Sequence, residues 1–94
     1  MRLKLYSSIG KQLPNLVCLQ ADDLEFLPTV LVCPIIENAP ETIVRSQFIS
    51  GDKAFTAFCE LARPIRRQAL RLVGYLDESV SRDVMDKFLR VLAR

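Results

Sequence analysis

Only the last stretch of this chain carries the period of an α-helix, and that confines the fold. Asp77 is a good N-cap, Glu78 is favourable in a first turn, and Val80, Val84, Phe88, Val91 and Leu92 recur at spacings of three and four. Arg82, Asp83, Asp86, Lys87 and Arg90 fall largely elsewhere around the same helix. The sequence before it reads as short strands and turns, so this helix closes a sheet rather than joining a bundle.

Residues 2–6 alternate polar and apolar, the period of a half-buried strand, and residues 15–20 (NLVCLQ) form a short apolar run consistent with a buried one. Residues 7–12 between them are turn material. Residues 21–27 have acids near their start and are too few for a long helix; they read as a connecting loop with at most one helical turn. Residues 29–36 (TVLVCPII) are the clearest strand by β-branched content. Pro34 donates no ladder hydrogen bond, which predicts a bulge or a strand edge there. After a loop at 37–40, residues 41–49 alternate loosely. Ser50-Gly51-Asp52-Lys53 is a hairpin turn with Gly51 free to take positive φ, and residues 54–61 return as a strand. Pro64 breaks that strand, a basic turn with Arg63, Arg66 and Arg67 follows, and residues 70–76 make the last strand. The expected architecture is a single α+β domain over residues 1–94: a small antiparallel sheet or barrel packed on a C-terminal helix. A core of this size is marginal, and such chains often gain stability by pairing.

Several chemistries are excluded by composition. The 94 residues include no histidine, which removes the usual general base and with it a Ser-His or Cys-His nucleophilic centre. Cys18, Cys33 and Cys59 sit far apart within apolar runs and form no CxxC pair, so they read as buried small hydrophobes in a reducing compartment rather than zinc ligands. Gly10, Gly51 and Gly74 lie near turns or strand ends and build no phosphate-cradling loop. The N-terminus shows no signal-peptide core, and no apolar stretch approaches the roughly 18 residues that span a bilayer, so a cytoplasmic protein is expected.

What remains is thin. Asp22 and Asp23 can be read as a metal or acid-base pair, but adjacent acids in a loop are usually solvated. Arg63, Arg66 and Arg67 form a compact basic cluster with Arg71 nearby, able to meet phosphates or simply to face water. The net charge of +2 neither requires nor excludes an anionic partner.

Two segments resemble a known family. Residues 13–35, LPNLVCLQADDLEFLPTVLVCPI, resemble the MazF/PemK pattern in which a strand of the form RPVLVVQAD precedes a short loop and a strand of the form TVLVAPIT. Residues 58–92 are similar to the MazF ending: an acid-containing strand, a basic turn, a strand with an "lG.l" core and a closing helix, in that order. The opening, MRLKLYSS, looks more like the CcdB branch of the same superfamily. The resemblance implies the SH3-like barrel of MazF/CcdB type and the toxin of a bacterial type II toxin–antitoxin module. MazF relatives cut RNA, whereas CcdB relatives poison DNA gyrase.

Carried across residue by residue, the resemblance puts Leu13 where MazF has an arginine beside its proline, here Pro14, and Ile36 where MazF has a threonine or serine. Neither side chain handles a proton or stabilises phosphorane charge. Lys11, Glu37 and Arg45 stand in adjacent loops as substitutes, with Arg63, Arg66 and Arg67 as further RNA contacts, and the catalytic set is left unassigned. The Trp-Gly-Ile type ending of CcdB is replaced by Leu92-Ala93-Arg94, and the chain has no tryptophan. The expectation is a growth-inhibiting, plasmid-maintenance type of toxin that cuts mRNA without metal or cofactor, as a homodimer silenced by a cognate antitoxin. The alternatives are a non-enzymatic gyrase inhibitor and a relative that retains only antitoxin binding.

Overall fold

The fold is given by a computed structural model that describes residues 2–11, 13–20 and 26–93. Its strands are β1 (Lys4–Ser8), β2 (Leu16–Cys18), β3 (Thr29–Glu37), β4 (Arg45–Ser50), β5 (Lys53–Phe58), β6 (Arg63–Arg66) and β7 (Leu70–Tyr75), followed by helix α1 (Glu78–Leu92). All pairings are antiparallel, in the order β4-β5-β3-β2-β1-β7, with β6 added on β3.

Strand β3 is the spine. One edge pairs with β2 through Val32–Pro34; the other pairs first with β6, through Thr29–Val32, and then with β5, through Ile35–Glu37. Both faces of this region are buried, as the continuous apolar run TVLVCPII requires. Leu31, Cys33 and Ile35 join a large core with Leu3, Leu5, Val17, Phe48, Phe55, Val84 and Phe88. Val30 and Val32 join a smaller cluster with Tyr6, Leu16 and Cys18 on the opposite face. Ile65 of β6 and Leu70 of β7 pack on that second cluster from opposite ends of the run β6-β3-β2-β1-β7. The run therefore curls around it as a small barrel, while α1 and the β4–β5 hairpin cover the outer core.

Pro34 of β3 and Pro64 of β6 are accommodated by hydrogen-bond alternation. The amide of Ile35 donates to Asn15 (3.0 Å) and that of Leu19 to the Leu31 carbonyl (2.9 Å), so odd-numbered residues of β3 bond toward β2 and even-numbered ones toward the other edge. Pro34 points its missing N–H to that other edge, where the pairing passes from β6 to β5, and β3 runs through without a break. Pro64 sits opposite Leu31, a position where β6 owes no bond to β3, and β6 is an outer strand. The basic stretch expected as a turn is thus a strand, followed by a 3₁₀ turn at Arg67–Ala69.

Other boundaries shift. Strand β4 begins only at Arg45, after a loop closed by the Thr42–Arg45 bridge, and β5 ends at Phe58 in a 3₁₀ turn, Cys59–Leu61. The β4–β5 turn forms as expected, with Gly51 at φ 64. In α1, the Asp77 carboxylate accepts the Val80 amide at 2.9 Å. Val84 and Phe88 are buried and Val80 and Val91 pack on the core, but Leu92 is 63% exposed. Spacings of four drift about 40° each on a helix of 3.6 residues per turn, and two of them carry Leu92 out of the buried arc. Ser81 is buried instead, its hydroxyl accepting the Leu3 amide at 2.9 Å.

Candidate functional site

The connection between β1 and β2 is fixed by polar side chains. The buried Ser7 hydroxyl lies within hydrogen-bond distance of the carbonyls of Lys11 (2.9 Å) and Leu13 (3.1 Å). Asn15 clamps Ser8, its Oδ1 accepting the Ser8 amide (2.8 Å) and its Nδ2 donating to the hydroxyl (3.0 Å). Gly10, at φ 93, lets the Lys11 amide fold back on the Ser8 carbonyl at 2.9 Å. Arg71 of β7 donates to the Lys11 carbonyl at 3.0 Å. These bonds hold the backbone of Lys11 and Leu13 at the C-terminal end of β3.

There they meet Glu37, the last residue of β3, which pairs in register with Phe55 of β5. Lys11, Leu13, Pro14, Asn15, Glu37 and Phe55 line a cleft of about 490 Å³. Lys53 lies 3.0 Å from Glu37, and that contact raises the Lys53 ammonium pKa. Lys11 has no carboxylate partner among the described residues. The cleft lining thus combines the Glu37 carboxylate with the Lys11 ammonium, and Lys53, outside the lining, pairs with that carboxylate. Such a set can bind an anion and relay a proton. Leu13 is 48% exposed on its wall; Ile36, 46% exposed, is not part of the lining.

Arg66 and Arg67 lie elsewhere. With Pro28, Thr29 and Gln68 they line a second cleft, of about 670 Å³, at the N-terminal end of β3. Arg67 is tied down there, its Nε donating to the Leu27 carbonyl (3.0 Å) and its amide to that of Pro28 (2.9 Å). Eight steps of strand separate the two clefts, roughly 26 Å at about 3.3 Å per residue. Arg63 is opposite Val32 in register and Arg66 opposite Thr29, so strand alternation sends the two arginines to different faces. The compact basic cluster read from spacing is split.

Arg45 joins neither cleft. Its guanidinium lies 2.6 Å from Glu60 and 4.1 Å above the Phe58 ring, and it holds the Glu60 carboxyl below the usual carboxylate range. Asp22 and Asp23 lie outside the described residues. Among the described residues no cluster of His, Cys, Asp or Glu is arranged to hold a metal ion. No disulfide joins the three buried cysteines, and the Cys59 side chain together with burial pushes the Cys33 thiol up, away from nucleophilic use.

Lys53, Asn15 and Phe55 were not singled out by sequence. Lys53 reaches Glu37 only because β5 pairs with the end of β3, and no local pattern announces that register. A further polar group ties α1 to the loop before β4. Ser46 donates to Asp83, and Lys87 lies 3.2 Å from both Asp83 and Glu41.

No protein-family model and no curated protein matches the chain. Among solved structures it is similar to the Mycobacterium tuberculosis toxin MazF-mt6, at 16% identity and a TM-score of 0.77, with 99% of this chain and 97% of that one covered. It is also similar to a crystal structure of an Mtb toxin, at 16% identity and a TM-score of 0.75, with 97% and 99% covered. No helix of the described residues is long and apolar enough to cross a membrane. At such identity the likeness shows the fold, and over nearly its whole length this chain has the fold of the MazF toxins.

Proposed function

We propose that this chain is the growth-inhibiting toxin of a type II toxin–antitoxin module and that it cuts RNA in the Lys11–Glu37 cleft. The observation that carries the reading is the meeting of Lys11 and Glu37 in one cleft, with Lys53 paired to Glu37, within a MazF-type fold. Glu37 takes the proton of a ribose 2′-hydroxyl as its oxygen attacks the adjacent phosphorus. Lys11 stabilises the charge that grows on the phosphorane oxygens, and Lys53 gives its proton to the departing 5′-oxygen. The products are a 2′,3′-cyclic phosphate and a 5′-hydroxyl. The Glu37 proton passes to Lys53 across their contact, restoring both groups. The toxin works in the cytoplasm as a homodimer, and a cognate antitoxin silences it with an acidic segment that covers the cationic cleft.

Expression without antitoxin is expected to stop growth, and the purified chain to cleave RNA in a buffer containing a metal chelator. Normal growth together with intact RNA would overturn the reading.

A second reading is favoured by Leu13 and Ile36, apolar side chains left about half exposed at the two positions where a cleaving relative would carry working groups. They suit protein docking, as in a gyrase-directed toxin. Growth arrest that a gyrase mutation relieves, with RNA intact, distinguishes it.

A further inference from the structure

Two of the three buried thiols are brought together by strand register. Ile35 of β3 stands opposite Ala57 of β5. Two steps along the same antiparallel series, Cys33 stands opposite Cys59, where the chain enters the 3₁₀ turn Cys59–Leu61. That turn packs against β3, and both cysteines belong to the large core cluster. Odd-numbered residues of β3 bond toward β2, so Cys33 and Cys59 form a non-hydrogen-bonded pair, the kind whose Cα atoms lie about 4.5 Å apart. A disulfide spans about 4.4–6.8 Å between Cα atoms. Cys18 packs in the smaller cluster, on the opposite face of the sheet.

The two thiols differ in character. The Cys33 side chain donates to Cys59 and lowers its pKa, while that bond and burial keep Cys33 protonated. Cys59 is thus the better nucleophile. Both have 0% exposure, but the seam beside them is weakened: Phe58, opposite Pro34 in the same series, receives no hydrogen bond from it. A small oxidant reaches the pair by local opening there. We propose that Cys33 and Cys59 are a dithiol site that hydrogen peroxide oxidises to an intramolecular disulfide. The Cys59 sulfur attacks one peroxide oxygen, the O–O bond breaks, and the departing hydroxide leaves as water with the Cys59 proton, giving a sulfenic acid. At contact distance the Cys33 sulfur then displaces the sulfenic hydroxyl, which leaves as a second water with the Cys33 proton. Two thiols lose two electrons and two protons, and one peroxide becomes two waters. The bond pins β5 to β3 just before Glu37 and closes a loop that holds both Glu37 and Lys53. A thiol reductant reverses it.

Mass spectrometry of the full chain tests it, after hydrogen peroxide in native buffer and then unfolding in a thiol-capping reagent. The wild type is expected to lose two hydrogens and to take one cap, at Cys18, in place of three, with the peptides that hold Cys33 and Cys59 joined. Dithiothreitol is expected to restore all three caps. Because the bond shortens the unfolded chain's reach, the oxidised protein is expected to unfold at a urea midpoint about 0.5 M or more above the reduced one. Cys33→Ala and Cys59→Ala are each expected to form no internal bond, and Cys18→Ala to form it as the wild type does. Three caps after exposure, an internal bond that includes Cys18, or an oxidised chain with a midpoint no higher than the reduced one would overturn the proposal. None of these readouts involves RNA, so the site can fail while the RNA-cutting reading stands.

Discussion

The two ends of β3 both gather cationic side chains and are built differently. At the C-terminal end, Ser7, Asn15 and Arg71 fix the described residues around Lys11, and Glu37 of the strand itself shares a cleft with Lys11 and pairs with Lys53. At the N-terminal end the described lining holds Arg66 and Arg67 and no carboxylate, and Arg67 is partly occupied in holding the Leu27 carbonyl. An anion can be held at either end. Among the described lining residues of the two clefts, Glu37 is the one carboxylate that can take up a proton. The difference separates a cleft with a candidate base from one whose described lining suits a phosphate contact, on one strand.

The largest expected effect breaks or upholds that contrast. Lys11→Ala is expected to lower RNA cleavage by about a hundredfold or more, the scale of one charge-stabilising group, while Arg66→Ala changes it by less than about tenfold. Arg66→Ala should instead weaken RNA binding and reduce the slope of log affinity against log salt by about 1, if its guanidinium meets one phosphate. Equal losses of cleavage from the two variants would erase the distinction between the ends.

A smaller effect tests whether the bonds that hold Lys11 matter. Ser7→Ala removes a buried hydroxyl from between two carbonyls and leaves the Leu13 carbonyl without its donor. A stability loss of about 1–3 kcal/mol in urea denaturation is expected, together with slower cleavage, since Lys11 loses one of the bonds that hold it and keeps those to Arg71 and Ser8.

The smallest effect is with acid. The Arg45 guanidinium holds Glu60 below the usual carboxylate range, and the Gln47 amide and Lys87 ammonium do the same for Glu41. Burial raises Asp83, but Ser46 and Lys87 outweigh it and leave that carboxyl low as well. A depressed folded-state pKa stabilises the protein above the unfolded value, near pH 4, and the stabilisation is lost as pH falls through the folded value. The thermal midpoint is therefore expected to fall as pH drops from about 5 to about 3, and less so in Arg45→Met, where Glu60 has lost its partner. An identical acid profile in the variant would remove Glu60 from the account.

Much of this architecture is legible in the sequence because its signals are local. The helix follows from Asp77 and the Val84–Phe88 spacing, the hairpin from Gly51, and the central strand from its β-branched run. The prolines mislead because their effect depends on register: Pro34 and Pro64 both fall where β3 and its neighbours exchange no hydrogen bond at that residue, which no local reading shows. The site was legible in part for the same reason. Lys11 and Glu37 flank the positions that the resemblance marks, and the fold joins them in one cleft. Lys53 is brought to Glu37 by strand pairing. Arg45 is withdrawn by Glu60, fifteen positions away in sequence, and the run of arginines is divided by the two-residue period of β6. Adjacency along the chain had suggested a patch where alternation builds two faces.

The central claim is that Glu37 takes the proton in RNA cleavage. It is tested most directly by the single-turnover cleavage rate of a defined RNA in chelator-containing buffer, comparing the wild type with Glu37→Gln. The variant keeps the size of the side chain and loses only the base. The expected result is a wild type that cuts, leaving a cyclic phosphate end, and a variant slower by about 10²–10⁴ with the same urea midpoint to within about 0.5 kcal/mol. A wild type that leaves the RNA intact, or a variant that cuts at the same rate, would contradict it.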